Sequence, residues 1–214
     1  AKMSAGSTSA TLSGKGSSKS NEYLYARVRD TMSNGCNKLQ VAVYNPIEYT
    51  VGIRSVKLPG GSSPEALSNS DVQETLNDIY KQAVISFTVT TLSEAEVDYD
   101  LNDDQLLDIS ANTLTPGSEK GVIHPEKIGD NVDYTIYLVT GVSDSNVLGQ
   151  AALGENYAFI YDADANTAAH EIGHALGLDH PEGDADNIMS PYESDRTGTR
   201  LRYDQWEILQ GNNQ

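Results

Sequence analysis

One eleven-residue segment constrains this chain more than any other feature of its sequence. It runs His170-Glu171-Ile172-Gly173-His174-Ala175-Leu176-Gly177-Leu178-Asp179-His180. His170 and His174 are four residues apart, so on a helix their rings project from the same face, one turn apart. Gly177 accepts the positive φ that ends a helix, which turns the chain and returns His180 towards the other two. We therefore predict a helix from about residue 167 to 176, with three histidines converging at its end.

Three converging imidazoles are a suitable ligand set for zinc, and three of the four histidines of the chain lie in this segment. Three protein ligands leave a fourth position open for water, which is the catalytic pattern. Glu171 neighbours the first ligand and is placed to reach that water without binding the metal. We predict one catalytic zinc ion on His170, His174 and His180, with Glu171 as general base.

The spacing HExxHxxGxxH is that of the metzincin zinc metalloproteases, and Met189 in Asn187-Ile188-Met189-Ser190-Pro191 resembles their methionine turn. The Gly-Leu-Asp-His run and the Met-Ser-Pro-Tyr sequence are most similar to the matrix metalloproteinase (matrixin) branch. Pro181, after the third histidine, is more similar to the serralysins. At the level of motifs the resemblance covers about residues 147–210, and it implies a zinc metalloendopeptidase acting on protein or peptide substrates.

The resemblance also implies roles for residues outside the histidine segment. Met189 is expected to pack beneath the metal as an apolar floor. Tyr192 lies three residues after Met189 rather than two, so we expect it beside the site and not on the metal. An upper-rim strand that pairs with extended substrate is expected just before the helix; an ordinary internal strand is the alternative there. The residues of this rim are Gly149, Gln150, Ala151, Ala152 and Leu153.

The order of the predicted elements favours an α+β fold. We predict strands over 23–28, 39–44, 51–58, 85–92, 134–142 and 157–161, and helices from Ser70, from Thr167 and over 203–209. In the first helix Ser70 and Gln73 would form a capping box. Together with the resemblance, this order implies a twisted, mostly parallel sheet with an antiparallel edge strand. A backing helix and the active-site helix would pack on it, followed by a small irregular C-terminal lobe with the methionine turn and a terminal helix.

Composition changes along the chain divide it into three parts. Residues 1–20 are rich in Ser and Gly and are expected to be a flexible tail. Residues 21–45 form an N-terminal β segment, interpreted as a prosegment remnant, and residues 46–214 form the catalytic domain. Residues 1–60 carry eight Lys/Arg against three Asp/Glu, whereas the whole chain has a net charge of −17. Opposite charges therefore favour docking of the first part on the rest.

Cys36 is the single cysteine, so the chain has no intrachain disulfide. A thiolate from an N-terminal segment can block the open position of a zinc site, as the prosegment of matrix metalloproteinases does. Residues 34–37 do not match that family's prosegment motif, and a structural thiol is the default interpretation. A latency role for Cys36 is the alternative.

Two acidic runs have alternating oxygen ligands of the kind that calcium prefers: Asp98-x-Asp100-x-Asn102 and Asp162-x-Asp164-x-Asn166. Neither continues as an EF-hand, so a solvated loop and a helix cap, with Asp164 and Asn166 capping, are the favoured interpretations. Calcium is the alternative for both.

The remaining predictions concern partners and compartment. The acidic charge argues against nucleic acid, and no apolar run has the roughly 20 residues of a membrane span. We expect a monomer that is secreted and microbial, with its signal peptide absent from this sequence. The rival function from another class is a catalytically silent zinc-containing module for peptide binding or adhesion, which the intact Glu171 disfavours.

Overall fold

The computed structural model of the chain describes residues 22–26, 37–41, 45–109, 114, 117–124, 131–191 and 198–211. The chain divides into two compact units, residues 1–46 and 47–214. No helix within these described ranges is long and apolar enough to cross a membrane. The tail predicted over residues 1–20 lies outside the described residues.

The first unit contains two described strands, β1 (Glu22–Ala26) and β2 (Asn37–Val41). They pair antiparallel, with Glu22 opposite Val41 and Ala26 opposite Asn37. Both strands were predicted, and each begins one or two residues earlier than the pattern of Val, Ile and Tyr indicated.

The second unit is built on a six-stranded sheet in which β4, β3, β6, β8 and β7 lie side by side in that order, while β5 pairs with the end of β3. All neighbours are parallel except β7, which runs antiparallel to β8 at one edge. The strands are β3 (Ile47–Lys57), β4 (Ile85–Thr91), β5 (Ala95–Glu96), β6 (Tyr134–Leu138), β7 (Gly149–Gln150) and β8 (Tyr157–Ile160). The predicted mostly parallel sheet with an antiparallel edge strand is confirmed.

Helices cover both faces of this sheet, and the strand residues alternate between two cores as the pleat requires. Ile136, Ala158 and Ile160 face a core shared with α1 (Asn69–Tyr80) and α3 (Ala165–Ala175). Tyr137 and Phe159 face the opposite core, which the short helix α2 (Glu119–Ile123) helps to close. A last helix, α4 (Tyr203–Gly211), adds Leu209 to the first core.

The start of α1 differs from the predicted capping box. Ser68, and not Ser70, is the N-cap, and its hydroxyl accepts a hydrogen bond from the backbone N–H of Asp71. Gln73 does not reach back to the cap, because its Oε1 accepts from the backbone N–H of Val89 on β4 at 2.9 Å. A tertiary contact with the sheet thus replaced the local one that the spacing suggested.

Candidate metal centre

The helix α3 carries the first two histidines, and local chemistry sets both of its ends. Asp164 is the N-cap, and its Oδ1 accepts from the N–H groups of Asn166 and Thr167 at 2.7 and 3.1 Å. At the other end Gly177 has a φ of +95°. Its N–H bonds to the carbonyl of His174 while that of Leu178 bonds to Gly173, the paired bonds of a Schellman motif. The predicted helix and its glycine stop are confirmed.

The turn after Gly177 brings His180 onto the two helical histidines. The Nε2 atoms of His170 and His174 are 3.1 Å apart, those of His174 and His180 are 3.0 Å apart, and those of His180 and His170 are 3.3 Å apart. Two nitrogens bound to one tetrahedral zinc ion at about 2.05 Å are separated by about 3.3 Å. The three Nε2 atoms therefore have the spacing of a shared zinc ion.

The tautomers of two of these rings are set by backbone carbonyls. His170 donates from Nδ1 to the carbonyl oxygen of Ile188 at 2.8 Å, and His174 donates from Nδ1 to that of Leu178 at 2.7 Å. Because a carbonyl only accepts, Nδ1 carries the proton and Nε2 of each neutral ring presents a lone pair. Two lone pairs 3.1 Å apart repel unless a cation lies between them. Such outer hydrogen bonds are also the usual way of orienting metal-binding histidines, so the residues fit zinc.

Glu171 lies on α3 beside this cluster and is 6% exposed. A Cβ built on Gly149 of β7 would lie 2.7 Å from Cγ of Glu171 and 3.0 Å from Cγ2 of Thr167. The glycine thus lets the backbone of the edge strand approach the carboxylate side chain directly. Burial raises the pKa of the phenols of Tyr80 and Tyr161, and the Glu171 carboxylate raises both further.

The segment after the third histidine forms a buried turn under α3. Met189 is fully buried, and a Cβ on Gly173 would lie 2.3 Å from its Sδ and 2.7 Å from the hydroxyl oxygen of Tyr80. Asn187 organises the turn, because its Oδ1 accepts from the N–H of Met189 and its Nδ2 donates to Oε1 of Gln205 on α4. Met189 therefore packs on the helix that carries two histidines; its role as a floor for the metal stays a prediction.

The predicted rim segment is only partly a strand. Gly149 and Gln150 form β7, but Ala151, Ala152 and Leu153 leave the sheet. The physical reason is a turn: Gly154 has a φ of +75°, and its N–H bonds to the carbonyl of His174 at 3.0 Å. The chain is drawn towards the end of α3 instead of continuing along β8.

In each of the two acidic runs, one Asp side chain accepts hydrogen bonds from backbone N–H groups. Asp100 accepts from the N–H groups of Asp104 and Gln105, and Asp164 caps α3 as predicted. Asn166 does not cap with its side chain; it contributes its backbone N–H to Asp164. Among the described residues, the grouping of three or more His, Cys, Asp or Glu side chains suited to a metal is that of His170, His174 and His180.

Two predicted site residues, Tyr192 and Cys36, lie outside the described residues. The sequence analysis missed Lys120 and the bonds of the Asn187 side chain, and it predicted Gly149 only as a rim residue, without its contact with Glu171. The Asn-x-Met order was a usable signal for Asn187, since Asn side chains bond to the backbone N–H two residues on. The contact of Gly149 with Glu171 and the burial of Lys120 against Gln150 have no local signal, because the partners come from distant parts of the chain.

The chain matches a known protein family over most of its second unit. The family model for Matrixin matches residues 62–211. The chain belongs to the matrixin family of zinc-dependent metallopeptidases, and its histidine triad is compatible with zinc. No curated protein matches the chain significantly.

Solved structures similar to this fold are remote in sequence. Metalloproteinase-II from Bacteroides fragilis is 17% identical with a TM-score of 0.48, over 75% of this chain and 52% of that one. A zinc-dependent peptidase from Methanocorpusculum labreanum is 16% identical with a TM-score of 0.45, over 75% of this chain and 99% of that one. The matched region thus spans about half the length of the Bacteroides protein.

Proposed function

We propose that this protein is a zinc-dependent endopeptidase in which His170, His174 and His180 hold the metal and Glu171 is the general base. The observation that carries the proposal is the set of three Nε2 atoms 3.0–3.3 Å apart, with two of the rings held in the metal-binding tautomer by backbone carbonyls. A carboxylate on the same helix turn supplies what a purely structural zinc site does not need.

Zinc at this site would polarise the scissile carbonyl, lower the pKa of water and stabilise the oxyanion. The carboxylate of Glu171 takes the proton of the attacking water and then delivers it to the departing amine nitrogen. Its side chain is held for this task between Gly149 and the body of α3, where a buried carboxylate has little freedom to turn away.

An extended peptide is the substrate that suits the edge of the sheet. One side of β7 pairs with β8, and no further strand follows β7 in the order of the described strands. Backbone N–H and C=O groups on such an edge pair with a peptide by strand addition, largely independent of its sequence. Gly149 and Gln150, with Ala151, Ala152 and Leu153 after them, are the proposed rim.

The family and the acidic composition support a secreted, monomeric enzyme that acts on proteins or peptides. Met189 is proposed as the apolar floor of the site.

The test is cleavage of denatured casein and of a fluorogenic peptide library, with and without 1,10-phenanthroline, on protein whose metal content has been measured. We expect chelator-sensitive cleavage and about one zinc ion per chain. Glu171→Ala should keep the zinc and lose about 10²- to 10⁴-fold in kcat. Glu74→Ala, which removes an exposed glutamate from α1, is the matched control and should keep full activity.

Two outcomes would overturn the proposal. Full activity of Glu171→Ala would remove Glu171 as the base. Stoichiometric zinc with no cleavage of any substrate by the wild type would favour the silent peptide-binding module.

A further inference from the structure

The edge strand β7 is held on both of its faces by side chains from distant parts of the chain. Gly149 lies opposite Ile160 and Gln150 opposite Phe159. Ile160 belongs to the core under α3, whereas Phe159 belongs to the opposite core. Because residues directly opposite in a sheet share a face, Gly149 faces α3 and Gln150 faces the other layer.

On the α3 face, contact is direct. Glu171 and Thr167 occupy the space that a side chain at position 149 would need. A Cβ on Gly149 would lie 2.7 Å from Cγ of Glu171 and 3.0 Å from Cγ2 of Thr167. A small displacement of β7 therefore changes the space available to the proposed base.

On the other face, the amide of Gln150 is bound by Lys120, Tyr161 and Ile109. Its Oε1 accepts from Nζ of Lys120 at 2.9 Å and from the hydroxyl of Tyr161 at 3.1 Å. Its Nε2 donates to the carbonyl of Ile109 at 3.2 Å. These partners come from α2, from the residue after β8 and from the loop before α2, so the amide joins β7 to three separate segments.

Lys120 is a costly residue to place here, since it is 2% exposed. Burial lowers its pKa to about 8, although the Asp108 carboxylate opposes this. Lysine is almost never fully buried without a specific partner. No step of the zinc chemistry proposed above uses Lys120. Its ammonium group instead donates a hydrogen bond to Gln150 of the edge strand.

The strand itself is too short to be rigid on its own. It has two residues in register with β8, supplemented by the bond from the N–H of Tyr161 to the carbonyl of Leu148. Short edge segments with few backbone bonds open easily, and an extended substrate needs this backbone in a defined place.

We propose that Lys120 and Tyr161 are positioning residues that hold Gln150, and through it the backbone of β7, as a pre-formed edge for the extended peptide substrate. The inference rests on the proposed peptidase function, since it assigns the buried contacts that support that enzyme's rim. It predicts that loss of the tether weakens binding of substrates long enough to pair with β7 and spares those that are too short to do so.

The experiment uses two casein-derived peptides that share one mapped cleavage site, of about ten and about four residues, because only the longer can add as a strand. Lys120→Met, which keeps the aliphatic length, should raise KM for the long peptide about tenfold, as loss of a charge-assisted hydrogen bond predicts. Tyr161→Phe, which removes a single oxygen atom, should raise it about threefold. In both variants KM for the short peptide and the zinc content should change less than about twofold.

Arg54→Met is the matched control. Arg54 is another buried cation, 7% exposed. It lies on the same face of the sheet as Val56, which belongs to the core that contains Tyr137 and Phe159. Arg54 donates a hydrogen bond to the carbonyl of Ser93, which follows β4 at the opposite edge of the sheet from β7. Arg54→Met therefore shows what the loss of a buried cation away from β7 does to the stability of the protein. We expect the ratio of KM for the long peptide to KM for the short peptide to stay at the wild-type value.

A second measurement does not depend on activity. Amide hydrogen exchange over residues 149–153 should be at least about tenfold faster in Lys120→Met than in Arg54→Met. Equal exchange in these two variants, or equal long-to-short KM ratios in Tyr161→Phe and the wild type, would overturn the tether. If the wild type cleaved nothing, the proposed function would fail, and the exchange experiment would still decide whether Lys120 holds the strand.

Discussion

The turn after α3 and the edge strand β7 both contact α3, but contacts of different range hold them in place. The turn is bonded to its own helix, through Gly177 to His174 and Leu178 to Gly173. The edge strand relies on α2, β8 and the loop at Ile109, since Gln150 bonds to Lys120, Tyr161 and Ile109. The geometry of the three histidines is thus mostly local in sequence, whereas the proposed substrate edge depends on contacts from distant segments.

The largest expected effect tests the local region. His174→Ala removes one proposed ligand, the ring whose Nε2 lies within 3.1 Å of the Nε2 atoms of both others. We expect loss of bound zinc and a fall in kcat/KM of at least about a thousandfold, because the metal contributes several kcal/mol to the transition state. Metal analysis and peptide cleavage measure both. His124→Ala, at the histidine outside the triad, should keep its zinc, and zinc retained by His174→Ala would contradict the site.

The next prediction concerns the contacts of β7 and the dependence of stability on pH. Lys120 has a pKa of about 8 in the folded protein, below its ordinary value of 10.5, because it is buried. Between these two values the unfolded chain binds a proton that the folded chain does not, so raising the pH stabilises the fold. The cost of the buried charge is fully present below pH 8 and is lost by pH 10.5. It amounts to about 3 kcal/mol.

Urea unfolding of the wild type and of Lys120→Met at pH 7 and pH 10 measures this cost. Of the groups that face the ammonium, the Asp108 carboxylate raises the pKa of Lys120 against the effect of burial, and Tyr161 stays protonated because burial raises its pKa. The wild type should therefore gain stability relative to Lys120→Met as the pH rises. A constant difference would mean that Lys120 is not a buried, titrating contact.

A smaller effect is expected where the two regions meet. Gly149→Ala places a Cβ 2.7 Å from Cγ of Glu171, so the strand or the carboxylate must shift. Misplacement of a catalytic group by about 1 Å costs up to about a hundredfold, and we expect kcat to fall by about ten- to a hundredfold with zinc content unchanged. Gly211→Ala, where a Cβ meets nothing within 4 Å, is the control. Unaltered kcat in Gly149→Ala would show that the rim does not position the base.

The smallest effect returns to the local turn. Gly177→Ala puts a side chain on a residue with a φ of +95°, which costs about 1–2 kcal/mol. The melting temperature should fall by about 2–8 °C for a chain of this size, and zinc affinity should fall because His180 follows the turn. Thermal unfolding with and without excess zinc separates the two contributions. An unchanged melting temperature would indicate that the turn relaxes without strain.

The parts of the fold with strong periodic patterns were predictable. The strands at 85–91 and 157–160 and the helices α3 and α4 lie within a few residues of their predicted bounds. The first helix was predicted, but its cap was assigned to Ser70 because the spacing to Gln73 was locally consistent. Competition from Val89, sixteen residues away from Gln73, is invisible in a local window.

The site divides in the same way. Helical periodicity and a glycine stop were enough to bring His170, His174 and His180 together, because i,i+4 spacing and a Schellman turn are properties of the backbone alone. The rim was predicted as a five-residue strand, but pairing with β8 ends at Gln150, since Gly154 bonds to His174 and turns the chain. Strand pairing depends on which segments meet, and local composition does not encode that.

Sequence by itself therefore indicated the family and predicted that the three histidines lie together beside Glu171, since these features depend on spacing within eleven residues. Only the tertiary structure decided that Gly149 of β7 contacts Glu171. It alone also decided that Lys120 and Tyr161 donate hydrogen bonds to Gln150 on the opposite face of that strand. The physical reason is the distance along the sequence between the groups that make contact. A helix turn satisfies its own hydrogen bonds, whereas an edge strand and a buried ammonium must find theirs on segments that only folding brings near.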